Sequence, residues 1–295
     1  MTKTAFIAIV GCPNVGKSSI LNNLLGQKIA IVSNKPQTTR TRIMGILTKD
    51  ETQLVFTDTP GFHRPRTMLG KRMNRAVVDS ISGVDACMLV VEPIGKIRQS
   101  ESELIERFKK GKLPVILVIN KVDTLPKKEL LMERIAYFSS LYDFKAIVPT
   151  SALKGDNMDS LYNELEKLTV ESQHFFPSDS LTDQPERVIA SEFIREKMLR
   201  LLDKEVPHGI AISIEKMSER ENNDILDIDA VIYCERESHK GIIIGKDGKM
   251  LKEISTRARL ELENFFMCRI NLQCWVKVKD GWRNREGLIR NFGLD

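Results

Sequence analysis

The sequence predicts an α/β domain built on a mainly parallel, doubly wound sheet, followed by a smaller α+β domain. The first observation is length: 295 residues leave room for two domains at roughly 150 residues each. The second is a rhythm over residues 4–170, where short runs that are apolar at nearly every position (TAFIAIVG, QLVFTDTPG, DACMLVVE, LPVILVINK, KAIVPTSA) alternate with longer amphipathic stretches. Strands that are apolar on both faces belong in parallel sheets covered by helices on both sides. The third is a change of pattern past residue 187, where strands alternate between apolar and polar and helices flank them.

Taken in order, helices are expected over 18–25, about 69–80, 101–110, 127–141 and 158–168, alternating with the apolar strands, with a further strand over 43–47. The stretch 171–186, ESQHFFPSDSLTDQPE, carries two prolines and three serines among other polar residues, the composition of a connection. The expected boundaries are therefore 1–172 for the first domain, 173–186 for a linker and 187–295 for the second domain. That second domain reads as a helix over 187–202, strands over 210–216 and 226–234, a glycine-bracketed turn, a helix over 250–265 and a strand over 269–278. Antiparallel pairing is expected there, with a C-terminal helix after it. The acidic tract 215–229 reads as a solvated hairpin connection.

Composition excludes several classes. Hydrophobic residues make up 42% and charged residues 29%, which is globular rather than disordered. The longest apolar runs, 5–10 and 86–91, have six residues, so no membrane span is expected, and the N-terminus shows no targeting segment. Five cysteines without paired spacing point to reduced thiols in a cytoplasm rather than to disulfides or zinc. The net charge is +5, and residues 231–295 hold 13 Lys and Arg against 9 Asp and Glu, which permits a nucleic-acid surface without proving one.

Gly11-Cys12-Pro13-Asn14-Val15-Gly16-Lys17-Ser18 matches G-x-x-x-x-G-K-[ST] and sits between an expected strand and an expected helix. Such a loop turns backbone N–H groups around a phosphate at a helix N-terminus, with Lys17 reaching the terminal phosphates and the Ser18 hydroxyl available to Mg2+. Asp58-Thr59-Pro60-Gly61 ends a strand, where the carboxylate can hold the magnesium shell and Gly61 can bring an N–H to the γ-phosphate. Asn120-Lys121-Val122-Asp123 caps another strand, and a carboxylate there accepts from guanine N1 and N2, groups that adenine does not offer as donors. The backbone of Ser151-Ala152-Leu153-Lys154 is placed to reach guanine O6.

These motifs, with the threonines of PQTTR, occur in order and at spacings that resemble a translation-factor-type GTPase. The resemblance implies GTP and GDP as ligands, Mg2+ on Ser18, Thr39 and Asp58, and catalysis by Lys17, Thr39, Asp58 and Gly61. Thr39 is the expected switch threonine, with Thr38 its rival. It also implies nucleotide contacts from Ser19 and from Phe62, which stands where many small GTPases carry the glutamine that orients water. A phenyl ring cannot do that by hydrogen bonding, so slow intrinsic hydrolysis is expected. Asn14 matches an asparagine that ligates K+ in similar GTPases. The neighbouring His63 reads as a solvated loop residue rather than a base.

In the second domain, Gly245-Lys246-Asp247-Gly248 is a G-x-x-G loop of the kind that approaches a nucleic-acid backbone. Ile242 and Ile244 before it, Lys249 beside it, and Lys252 and Arg257 after it supply apolar support for bases and cations for phosphates. Trp282 reads either as a base-stacking residue or as an anchor for the last helix. Element order resembles a type II KH domain. The whole chain, on GCPNVGKSSILNNLLG, SNKPQTTR, DTPGFH, NKVD and GIIIGKDGKMLKEI, resembles the Era family of bacterial ribosome-assembly GTPases. That resemblance implies binding to the 3′ end of 16S rRNA, a role with the small ribosomal subunit, a monomer in the bacterial cytoplasm, and partial association with the inner face of the membrane. The alternatives are another RNA-processing GTPase, or a passive RNA-binding protein with a structural nucleotide site.

Overall fold

The computed structural model describes residues 1–65, 67–220 and 223–294. Its backbone falls into two compact units, each described by itself. The first has the strand order β2-β3-β1-β4-β5-β6, with β1 (Lys3–Gly11), β2 (Ile43–Lys49), β3 (Thr52–Asp58), β4 (Ala86–Val91), β5 (Val115–Ile119) and β6 (Ala146–Pro149). All neighbours are parallel except β2, which folds back on β3 through a tight turn at Asp50, a residue at φ 51°. The helices are α1 (Lys17–Leu25), α2 (Met68–Ile81), α3 (Gln99–Gly111), α4 (Glu129–Ser139) and α5 (Met158–Glu166).

The run AFIAIV forms a strand because it is buried on both faces: Ile7, Ala8, Ile9 and Val10 are all 0% exposed. One side of the sheet packs Ala8, Val10, Leu89, Leu117 and Ile119 against Val77, Leu104, Ile105, Phe108 and Phe138 of the helices. β1 lies between β3 and β4, and after β3 the chain crosses to the other side of β1 to build β4, β5 and β6, so the carboxyl end of β1 is a topological switch point. Register then aligns the strand ends, with Ile9 opposite Asp58, Gly11 opposite Val90 and Val91 opposite Ile119.

The stretch expected as a linker is bonded to the first unit. A two-residue strand, β7 (Val170–Glu171), pairs antiparallel with β1. Beyond it the buried amide of Gln53 accepts the N–H groups of Phe175 (2.8 Å) and Phe176 (3.1 Å) and donates to the Phe176 carbonyl (2.9 Å). Ile46 N–H donates to the Leu181 carbonyl at 2.9 Å, so this segment also covers the open edge of β2. Polar composition predicted a free connection, but the polar groups here are satisfied by a sheet edge.

The second unit contains α6 (Glu186–Leu201), β8 (Ala211–Arg220), β9 (Asn223–Cys234), α7 (Glu237–Ile244), α8 (Lys249–Phe266), β10 (Arg269–Val278) and α9 (Glu286–Asn291). The sheet order is β10-β9-β8. β8 and β9 are antiparallel, whereas β10 runs parallel to β9, contrary to the all-antiparallel expectation. The physical reason is the crossover through α7 and α8, which is long enough to bring the chain back in the same direction. Most of the acidic tract is strand, not connection: Leu226, Ile228 and Ala230 turn inward while Asp227 and Asp229 alternate outward. Residues 221–222, also in the tract, lie outside the described residues.

Packing also assigns two short pieces of the N-terminal sequence to this unit, Ile31–Thr38 and Thr67–Leu69. Trp282 is an anchor: it is 0% exposed, its indole N–H donates to the Gly209 carbonyl at 2.9 Å, and its ring meets Phe292 edge-on at 5.4 Å. We expect Trp282→Ala to destabilise the second unit by roughly 3–5 kcal/mol, read as a lower urea midpoint for that unit while the first unit's midpoint stays in place.

Candidate nucleotide and nucleic-acid sites

The phosphate loop begins where β1 ends. Gly11 lies at φ 149°, and a Cβ there would sit 2.3 Å from the Val90 carbonyl oxygen; at Gly16 (φ 99°) it would sit 2.1 Å from Asn120 Nδ2. Only glycine fits both positions. Lys17 is 6% exposed and donates to the carbonyls of Gly11 (3.2 Å) and Cys12 (3.1 Å), so its ammonium is held inside the loop. Burial pulls the Lys17 pKa down and the Asp58 charge partly restores it.

Three oxygen-bearing side chains from different elements meet beside it. Ser18 Oγ, from the first turn of α1, donates to Asp58 Oδ2 at 2.6 Å and lies 2.9 Å from Thr39 Oγ1, which is itself 3.5 Å from Asp58 Oδ2. Asp58 is 0% exposed, and its Oδ1 has no hydrogen-bond partner among the described residues. Desolvation pushes its pKa up to about 6 despite Lys17 and the two hydroxyls. A buried carboxylate with an orphaned oxygen, flanked by two hydroxyls, is a hard-oxygen donor set that fits Mg2+ completed by phosphate oxygens and water. Thr38 turns the other way, donating to the Lys35 carbonyl at 2.6 Å, so geometry favours Thr39 over its rival.

The base end is a lattice of cross-links. Asn120 is 2% exposed; it donates to the Val15 carbonyl (2.8 Å) and accepts from Ala152 N–H (3.0 Å), tying three loops together. Ser151 Oγ donates to Asp123 Oδ1 at 2.6 Å, which orients that carboxylate. Lys121, in the left-handed region at φ 67°, donates to the Asn14 carbonyl (2.5 Å) and to Glu92 (2.7 Å). Leu153 is 86% exposed at the loop tip, and Val122 starts a short 3-10 turn.

In the second unit, the loop between α7 and α8 needs its glycines. Gly245 has φ 72° and ψ 175°, a region open to glycine alone, and a Cβ there would lie 2.7 Å from Met250 Cβ. Gly248 is left-handed at φ 73°. Lys246, Asp247, Lys249, Lys252 and Arg257 are exposed, with Arg257 paired to Glu253 at 2.6 Å. Ile243 is fully buried, whereas Ile242 is 50% exposed and Ile244 is half-buried. The edge strand β10 adds Leu272, Cys274 and Val276, half-buried beside these helices.

Comparison with known proteins agrees with both halves. A family model described as a 50S ribosome-binding GTPase matches residues 6–121, and a KH-domain model matches residues 205–283. GTPase Era of Clostridioides difficile (strain 630) is 49% identical over 295 residues, covering 100% of this chain and 99% of the relative. This chain belongs to the Era family of GTPases. GTPase Era of Ruminiclostridium cellulolyticum is 48% identical over 291 residues, covering 99% of this chain and 97% of the relative. The solved structure of an Aquifex aeolicus Era variant bound to GDP and AlF4− matches at TM-score 0.95 and 39% identity, covering 99% of both chains. Era in complex with MgGDPNP and nucleotides 1506–1542 of 16S ribosomal RNA matches at TM-score 0.93 and 39% identity, covering 100% of this chain and 99% of that one.

Within this Era-family site, one expected nucleotide contact is corrected. The Phe62 ring is 6% exposed and packs into the sheet's core with Val10 and Leu89, leaving its N–H to donate to the Gly11 carbonyl at 3.1 Å. An apolar ring gains more from the core than from a phosphate site. His63 Nδ1 lies 2.7 Å from the Gly61 carbonyl, and its backbone is bracketed by Asn74. Sequence reasoning missed Glu92, the partner of Lys121, because it lies outside the motifs. All five thiols are free and burial raises their pKa values, Cys87 to about 12, so none is a reactive thiolate.

Because the folded pKa of Asp58 lies above that of a free aspartate, the folded state binds more protons between about pH 4 and 6. Its stability therefore falls as pH rises through that window and stays lowered above it. We expect Asp58→Asn to stabilise the nucleotide-free first unit at pH 7.5 by on the order of 2 kcal/mol, seen as a higher melting temperature, with the gain shrinking as pH drops toward 4. Magnesium-dependent GTP binding should be lost in the same variant. Calorimetry across pH 4 to 8 checks this, and an unchanged midpoint at pH 7.5 would contradict the buried charge.

Proposed function

We propose that the chain is a GTP-driven switch that binds RNA near the 3′ end of 16S rRNA and assists maturation of the small ribosomal subunit. The observation that carries this reading is the meeting of Ser18, Thr39 and Asp58 in a chain that also holds a G-x-x-G loop. The solved Era complex with MgGDPNP and 16S rRNA nucleotides supports it, since one relative holds both kinds of ligand at once.

In this reading the loop N–H groups and Lys17 hold the β- and γ-phosphates, Gly61 N–H meets the γ-phosphate, and Asp123 reads guanine while Ser151 fixes its angle. Ser18, Thr39 and Asp58 would hold Mg2+, which would supply positive charge to the phosphate oxygens. Gly61 has no side chain because a Cβ would lie 2.5 Å from Pro13 Cα, so the two loops approach backbone to backbone. With Phe62 in the core, no side chain at that position orients the attacking water, which supports slow intrinsic turnover.

In the second unit the glycines admit an RNA backbone closely, Lys246, Lys249 and Lys252 meet phosphates, and Ile242 with Ile244 support bases. The protein is read as a cytoplasmic bacterial monomer. Peripheral association with the inner membrane face has the basic charge balance as its only support; among the described residues no helix is long and apolar enough to cross a membrane.

Crosslinking of the GTP-bound protein to RNA in cell extract, followed by sequencing, tests the RNA reading. Enrichment of the 16S 3′ end is expected, lost in Gly245→Asp/Gly248→Asp; scattered RNA would overturn the ribosomal target and leave the GTPase. Asn14 is exposed on the phosphate loop and is the proposed K+ ligand. GTP turnover should be severalfold faster in potassium than in sodium, with the difference abolished in Asn14→Ala; equal rates in the two salts would remove the cation from the mechanism.

A further inference from the structure

We propose that Arg195, Glu196 and Arg200, on the first helix of the second unit, are positioning residues for Thr39. The inference rests on the reading of Thr39 as a magnesium ligand and adds which residues set its place. Ala30 and Thr39 pack with the first unit, but the eight residues between them, Ile31–Thr38, pack with the second. On the first side, Asn22 of α1 holds the segment's entry, accepting the N–H groups of Ile29 and Ala30 (both 3.0 Å) and donating to the Ala30 carbonyl (2.8 Å). On the other side, Ile31 is 0% exposed in a core with Ile189 and Phe193 of α6.

Polar contacts then hold the segment's backbone. Glu196, 0% exposed, accepts the Val32 N–H at 2.9 Å, and Arg200 donates to the Val32 carbonyl at 3.1 Å. Glu196 is itself fixed by Lys197 (2.8 Å) and Arg200 (2.9 Å). Lys35 donates to the Leu202 carbonyl. Arg195, 2% exposed and braced by Glu192 at 2.5 Å, donates to the Thr38 carbonyl. Inside the segment, Ser33 Oγ, Thr38 Oγ1 and the Lys35 carbonyl close a compact loop, with separations of 2.8 and 2.6 Å.

The Thr38 carbonyl belongs to the peptide group whose nitrogen is that of Thr39. A peptide is planar, so a guanidinium that fixes the carbonyl direction also fixes the plane from which the Thr39 Cα and side chain leave. A charged donor in a buried setting holds that plane more firmly than a neutral one. The coupling is reciprocal: whatever draws Thr39 toward or away from Ser18 and Asp58 loads the same carbonyl, and so α6.

The test compares affinities for fluorescent mant-GMPPNP and mant-GDP in magnesium, with amide hydrogen exchange over residues 31–39. Arg195→Gln should weaken triphosphate binding and lower kcat about tenfold, with mant-GDP affinity unchanged within about twofold. The half-exposed Arg200→Gln, which places little burden on folding, should do the same to a lesser degree, and Arg195→Lys should restore part of the loss. Exchange over 32–38 should quicken while β1 and β8 stay protected. Thr39→Ala is the control for the underlying reading. If it loses the preference for triphosphate while Arg195→Gln and Arg200→Gln, both folded, keep it, the positioning role is overturned and the magnesium reading stands. If Thr39→Ala also keeps the preference, both fall together.

Discussion

A carboxylate kept out of water is the constraint around which the first unit is arranged. Asp58 is fully buried with one oxygen unpartnered, and burial disfavours its charge so strongly that Lys17 and two hydroxyls do not restore an ordinary pKa. A protein keeps such a group where a cation and a polyanion complete it. Strand register brings Asp58 opposite Ile9, the phosphate loop brings Lys17 and Ser18, and the return of the chain before β2 brings Thr39.

Close approach is the second condition, and it explains the glycines better than flexibility does. Side chains at Gly11, Gly16 and Gly61 would strike the Val90 carbonyl, Asn120 and Pro13. The loops are thus pressed together until backbone amides line the phosphate path, and Asn120 then acts as a strut between Val15 and Ala152. The second unit uses the same economy: at Gly245 the chain turns through a conformation closed to other residues, which leaves bare backbone at the loop proposed to meet RNA.

Thr39 follows directly on a segment whose packing belongs to the second unit, and the carbonyl before it is held by Arg195, more than 150 positions away in the chain. The family's two ligands, a guanine nucleotide and RNA, are bound by different units in the proposed function.

Local chemistry was legible in the sequence wherever a short run of residues carries its own reason. Runs apolar on both faces could only be covered parallel strands; GCPNVGKS needs its glycines and lysine at that spacing; NKVD and DTPG sit at strand ends because register puts them there. What tertiary structure alone decided involves partners far apart in sequence. The stretch 173–186 read as a linker, yet the backbone of Phe175, Phe176 and Leu181 within it is bonded to Gln53 and Ile46. The direction of β10 depended on the α7–α8 crossover, and only the folded chain shows that the Thr39 hydroxyl lies beside Asp58 while that of Thr38 turns to the Lys35 carbonyl. Phe62 was placed by a hydrophobic core rather than by its motif. Spacing records what neighbouring residues must do; burial and the pairing of distant polar groups emerge only when the chain closes on itself.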